Sequence, residues 1–87
     1  MARATLVLPR VLHESVGAAR ITVEGRTLRD ALEDAYGRSP ALRHHLVDER
    51  GRLRPHILCF LRGMQEPMTS ELREGDEISI LQAISGG

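Results

Sequence analysis

Residues 27–36 read Thr-Leu-Arg-Asp-Ala-Leu-Glu-Asp-Ala-Tyr, and this stretch limits what the chain can fold into. Leu28, Ala31, Leu32, Ala35 and Tyr36 recur at i, i+3, i+4, i+7 and i+8, which gathers them on one stripe of a helix. Thr27 is placed to cap the N-terminus. Asp30, three residues on, approximates a capping box and sets negative charge at the positive end of the helix dipole. Gly37 suits the position just past the C-terminus. A chain of 87 residues has room for one domain with one modest core. The rest of the sequence must therefore supply the layer that covers this stripe.

The flanking segments read as strands. Ala4-Thr5-Leu6-Val7-Leu8 alternates, with Ala4, Leu6 and Leu8 on one face, and Pro9 stops it. A loop is expected through Gly17, with disorder near His13 to Gly17. A second strand follows from Ala18 to Val23 and turns at Glu24-Gly25, so the first two strands should form a hairpin. After the main helix, Ser39-Pro40 restarts a short helix carrying Leu42 and Leu46 inward, with Ser39 as cap and Pro40 at its first position. Asp48 to Gly51 is a turn. His56 to Leu61 is an unbroken apolar run of strand length. Arg62-Gly63 turns it into a short segment at Met64-Gln65. Pro67 to Glu74 is a loop with Leu72 as its inward anchor. Glu77 to Gln82 is the last strand, with Ile78 and Ile80 inward. The order predicts an α+β fold of β-grasp type: a mixed sheet of four to five strands with one main helix on one face. Residues 1–82 form the domain, and 83–87 a flexible tail.

Two registers are open for the apolar run. If Ile57, Cys59 and Leu61 face the helix, then Leu58 and Phe60 face out. With Leu81 of the last strand they would make an exposed apolar patch, the usual mark of a contact surface. The alternative buries Phe60 and exposes Cys59. Cysteine is among the residues most often buried, which favours the first.

Composition removes several classes of function. The chain carries 12 basic and 12 acidic residues, so it lacks the basic surplus that nucleic acid or an anionic membrane demands. All of the basic residues are Arg, so no side-chain amine is available and the chain cannot form lysine-linked polymers of itself. Cys59 is the sole cysteine, which excludes an internal disulfide framework and fits a reducing cytoplasm. Cys59 reads as core rather than as a reactive thiol. No signal peptide or membrane span is legible. His44 and His45 are adjacent and so do not share a helix face, and no metal site is expected. His13 and His56 read as ordinary surface or hairpin residues. No phosphate-binding loop of the Gly-x-x-x-x-Gly-Lys kind is possible without lysine. Glu71, Glu74, Asp76 and Glu77 read as a solvated acidic rim.

The sequence finishes with Gly86-Gly87 directly after the last strand. Glycine lacks Cβ, so the pair forms a thin thread that can enter a narrow partner site. With that ending in place, the chain resembles the MoaD/ThiS group of sulfur carrier proteins. The resemblance rests on Thr27-Leu28-Arg29-Asp30-Ala31-Leu32, on Gly51-Arg52-Leu53-Arg54-Pro55-His56, and above all on Glu74-Gly75-Asp76-Glu77-Ile78-Ser79-Ile80-Leu81. Gln82-Ala83-Ile84-Ser85-Gly86-Gly87 completes it. The start Leu8-Pro9-Arg10-Val11-Leu12 is similar to carriers that serve cysteine synthesis. Two positions depart from the pattern: Arg62 stands for a common Asn, and Gln82 for a common Pro. Gln82 should leave the tail freer or let it pair with a neighbour.

The resemblance implies that an ATP-dependent activating enzyme of the ubiquitin-activating kind joins AMP to the Gly87 carboxylate. A persulfide or rhodanese-type donor then supplies sulfur, leaving a thiocarboxylate (1-thioglycine) for a downstream synthase. Gly86 and Gly87 supply slimness and reach, Ser85 precedes them in the tail, and Leu58, Phe60 and Leu81 dock the partner. The protein would be a monomeric co-substrate rather than an enzyme, with no cofactor of its own. Cysteine, molybdopterin and other sulfur-containing products stay open as destinations. Two other functions also stay open: a ubiquitin-like modifier joined to proteins through Gly87, and a plain β-grasp interaction domain.

Overall fold

A computed structural model describes residues 1–83. The expectations for Ser85, Gly86, Gly87 and a flexible tail fall outside those residues. The elements run β1 (Ala2–Val7), α1 (Arg10–Val16), β2 (Arg20–Gly25), α2 (Leu28–Arg38), α3 (Pro40–Leu46), β3 (Ile57–Leu61) and β4 (Asp76–Gln82). The four strands form one sheet in the order β2-β1-β4-β3. β1 and β2 pair antiparallel as expected of a hairpin, with Leu6 opposite Ile21. β1 and β4 pair parallel, with Leu6 beside Ile78. β3 and β4 pair antiparallel, with Cys59 opposite Ile80.

The apolar stripe of α2 packs as its spacing requires. Leu28, Ala31, Leu32, Ala35 and Tyr36 are all buried. Leu6, Val23, Leu61, Ile78 and Ile80 from the sheet and Leu42 and Leu46 from α3 join Leu28 as the largest fully buried side chains. Each contributes about 1.5–3 kcal/mol relative to exposure. An exposed ion pair such as Arg43–Glu33, at 3.6 Å, contributes about 0–1 kcal/mol. Apolar burial therefore dominates stability here. Gly25, at the end of β2, lets the sheet approach the first turn of α2. A Cβ there would sit 2.7 Å from the Ala31 nitrogen and 2.8 Å from the Asp30 Cβ.

The start of α2 is secured from two directions. Thr27 Oγ1 accepts from the Asp30 N–H at 3.3 Å. The Leu28 and Arg29 N–H groups donate to the Ser70 and Met68 carbonyls at 2.9 and 3.0 Å. The 67–74 loop thus closes over a helix end that would otherwise hold unpaired donors. Leu72 anchors that loop in the core, as expected.

Three expectations about the elements need correction. Residues expected to form a loop through Gly17 instead form helix α1, which begins after Pro9 and buries Leu12. Gly17, at φ 83, closes it in the left-handed conformation and donates to the His13 carbonyl. A proline before and a glycine after are helix boundary signals. The segment has seven residues and one buried side chain, so its periodicity is too short to stand out. Gly37 lies inside α2, which runs to Arg38, and the Ser39 N–H donates to the Ala35 carbonyl. Ser39 occupies the N-cap position of α3 without a side-chain capping bond. Met64-Gln65 forms no strand: Met64 makes an isolated bridge to Leu61, so the sheet has four strands.

That bridge closes a tight turn. Leu61 N–H donates to the Met64 carbonyl at 2.8 Å, and Met64 N–H returns to Leu61 at 3.1 Å. Both central residues have positive φ, Arg62 at 52 and Gly63 at 81. Two-residue hairpin turns of this twist favour Asn-Gly because both centres leave the normal region. Arg62 therefore occupies a strained place, and its side chain is tied down in compensation.

Candidate functional site

The face of the sheet opposite α2 carries the groups that can meet a partner. β3 alternates strictly, with Ile57, Cys59 and Leu61 buried and Leu58 and Phe60 half-buried. The first of the two registers is the one adopted. Leu58 stands opposite Leu81, and Phe60 stands opposite Ser79 in the next row. Ser79 is flanked on its other side by Val7.

Leu58 and Leu81 line a groove of about 660 Å³ together with Pro9, Val11, Gln82 and Ala83. None of these six side chains ionises. Phe60 is on the same face but is not part of the groove wall. Val11 is 63% exposed and Leu81 47% exposed, so two large apolar side chains face solvent across it. Pro9 and Val11 were absent from the sequence-based patch, because Val11 belongs to the helix read as a loop and Pro9 to the cap position before it. The boundary pair Pro9 and Gly17 was the available signal.

The groove sits where the sheet hands over to the tail. β4 lies between β1 and β3; its first residues, to Ser79, pair with β1, and its last, to Gln82, pair with β3. Gln82 pairs with Ile57, and the Ala83 N–H donates to the His56 carbonyl at 2.7 Å. The described chain ends at the rim of the groove.

At the opposite end of β4 the acidic rim divides. Glu71, Glu74 and Glu77 are exposed, but Asp76 is buried. This corrects its assignment to a solvated rim. Its carboxylate accepts from the Arg73 N–H at 2.7 Å and pairs with the Arg62 guanidinium. Burial pushes this carboxyl upward, but the Arg73 and Arg62 hydrogen bonds and both arginine charges outweigh it and hold it below its ordinary value. Asp34 is lowered mainly by its bond from Arg38, and Asp48 mainly by the Arg52 N–H.

Groups lowered in the folded state stabilise it above their unfolded pKa, and that stability fades as pH falls through the folded value. Urea midpoints are therefore expected to decline from about pH 5 toward about pH 2. Asp76→Asn should flatten part of that slope. An unchanged slope would show that Asp76 is not a source of it.

Cys59 and Tyr36 shift the other way. Burial raises the Cys59 thiol from 9.0 to about 11. Burial, then Glu33, raises the Tyr36 phenol from 10.0 to about 12. Among the described residues no three His, Cys, Asp or Glu side chains gather as a metal site, and no helix is long and apolar enough to cross a membrane.

A four-stranded mixed sheet with its main helix on one face, and a central strand that ends beside an apolar groove, is a ubiquitin-like β-grasp domain. The chain belongs to the ThiS family, which it matches over residues 7–87. It is 32% identical over 69 residues to small archaeal modifier protein 1 of Haloferax volcanii, spanning 78% of this chain and 79% of that one. The crystal structure of that modifier protein matches with a TM-score of 0.89 at 27% identity, over 99% of this chain and 100% of the other. A chain of the BexX/CysO complex of Amycolatopsis orientalis matches with a TM-score of 0.82 at 24% identity, over 97% and 99%, a likeness of fold. Fold and family together define a small sulfur carrier or ubiquitin-like modifier.

Proposed function

We propose that this protein is a sulfur carrier whose Gly87 carboxylate is activated and converted to a thiocarboxylate. The observation that carries this reading is the placement of the groove. A central strand delivers the chain to its rim at Ala83, four residues before Gly87 in the family-matched sequence. An enzyme that grips the last residues must then also cover Leu58, Leu81 and Val11.

A carboxylate is a poor electrophile, so ATP is needed first. The carboxylate attacks the α-phosphorus, pyrophosphate leaves, and an acyl-adenylate forms on the activating enzyme. The terminal sulfur of a donor persulfide attacks the acyl carbon and AMP leaves. A second thiol then cleaves the resulting sulfur–sulfur bond, becoming half of a disulfide and leaving a thiocarboxylate on Gly87. That sulfur is passed to an acceptor synthase. In this scheme Gly86 and Gly87 give the thread its narrow width, Ser85 precedes them in the tail, and Leu58, Phe60 and Leu81 hold the partner. The protein binds no cofactor and acts as a co-substrate. The unpaired thiol of Cys59 suits a reducing compartment such as the cytoplasm.

The modifier reading has its own support in the relative named a modifier protein. Both begin with adenylation and part at the acceptor, a persulfide in one and a protein amine in the other. Intact-mass spectrometry after incubation with ATP, an activating enzyme and a persulfide donor separates them. One oxygen replaced by sulfur is the expected result. An unchanged mass, with an activating enzyme proven competent on its own carrier, would overturn the carrier reading. Adducts of this chain on other proteins would move the assignment to modifier.

A further inference from the structure

The activated carrier has an enemy in its own surface. An acyl-adenylate or acyl-thioester reacts with any accessible amine, thiolate or phenolate, and the nearest such groups in a concentrated pool belong to other copies of the same chain. Apart from the α-amine of Met1, in this protein those groups are missing from the side chains or withdrawn into the core. All 12 basic residues are arginine, with no lysine in the 87 residues. A guanidinium remains protonated at every physiological pH and offers no free lone pair. The one thiol, Cys59, is 5% exposed and sits mid-strand on the helix-facing side of β3. The one phenol, Tyr36, is 6% exposed on the inner stripe of α2. Burial also keeps both in their protonated, weakly nucleophilic forms, at about 11 and about 12. The remaining side-chain nucleophiles are neutral alcohols and four imidazoles. An acyl-imidazole is cleaved again by water, so it leaves no lasting link.

We propose that the surface of this protein withholds every side-chain amine, thiol and phenol that could take up the acyl group, so that an activated Gly87 does not link copies of the chain through those side chains. The acceptor class is a persulfide sulfur or a foreign amine. The inference rests on Gly87 being the activated group. The reaction it forestalls is simple. An amine nitrogen attacks the Gly87 acyl carbon, the carbon–nitrogen bond forms, the adenylate or thiolate leaves, and the ammonium proton goes to water. Two carriers would then be joined and the sulfur acceptor lost.

The test uses the full chain prepared as a Gly87 thioester by thiol cleavage of a fusion, which bypasses any activating enzyme. It therefore reads out even if the carrier reading fails. The same thioester is made on an Arg50→Lys/Arg52→Lys chain, since both positions are exposed. Hydroxylamine capture confirms that both acyl groups are live. Each is then held concentrated at mildly alkaline pH, and linked dimers are mapped by tandem mass spectrometry. Side-chain links should be rare in the parent and on the order of a hundredfold more abundant in the lysine chain, from the gap between pKa values of about 10.4 and above 12.5. In urea, but not in buffer, the acyl group of the parent should exchange onto Cys59. Side-chain links in the native parent at the level of the lysine chain would overturn the proposal. So would a lysine chain that links no more than the parent, or exchange onto Cys59 without urea.

Discussion

Gly25→Ala is expected to lower the melting temperature by roughly 10–20 °C, a loss of about 2–3 kcal/mol in a domain of this size. The new methyl would sit 2.7 Å from the Ala31 nitrogen, 2.8 Å from the Asp30 Cβ and 3.0 Å from the Asp30 carbonyl carbon. Two of those atoms are backbone inside the first turn of α2, so no side-chain rotation relieves the contact. Either β2 or α2 must move, and α2 is held there by Thr27 and by the Ser70 and Met68 carbonyls. Gly17→Ala is the control. Gly17 has φ +83 with nothing within 4 Å of a Cβ, so only the left-handed strain of about 1–2 kcal/mol applies. Thermal melts of the two variants should therefore separate clearly. Equal losses would mean that the sheet and helix yield more easily than their packing implies.

Leu81→Asp is expected to leave the melting temperature within a few degrees of the parent and to cut the rate of terminal activation by about thirtyfold or more. Leu81 is 47% exposed, so a carboxylate there keeps its water and folding loses little. Docking is another matter. The groove of Leu58, Leu81, Val11 and Pro9 contains no ionisable group, and a partner that fills it would desolvate the new charge. Loss of a central contact in such an interface amounts to about 2 kcal/mol or more, which is the thirtyfold. The readout is the kcat/KM of the activating enzyme for this chain beside a denaturation curve. A variant activated at the parent rate would remove the groove from the docking surface.

The architecture was largely legible because its signals are local and repeated. The stripe from Leu28 to Tyr36 buries as its spacing demands. The alternation of Ile57, Cys59 and Leu61 against Leu58 and Phe60 appears as written. The failures share a physical cause, which is dependence on a partner far along the chain. Helix α1 is too short to declare a period, and it persists because Leu12 finds the common core. Asp76 sits in the charged run Glu74-Gly75-Asp76-Glu77 and reads as surface. It is buried because Arg62, fourteen positions earlier, turns back from a hairpin to meet it. The groove was half visible for the same reason. Leu58 and Leu81 belong to recognisable strands, while Val11 arrives from α1 and Pro9 from the cap position before it.

The parallel pairing of β1 with β4 also governs how this molecule is born. Ala4 lies beside Asp76, so strands from opposite ends of the domain share the middle of the sheet. During synthesis β1 and β2 can zip into a hairpin early, but a two-stranded ribbon is marginal by itself. β3 emerges with no strand beside it, because its only neighbour in the sheet is β4. The whole sheet thus closes in one late event, when β4 slots between β1 and β3, and such long-range closure is slow. A nascent chain interrupted before Asp76 has no route to the native sheet. Ala83 therefore reaches the rim of a finished groove only when every preceding element has been made and assembled.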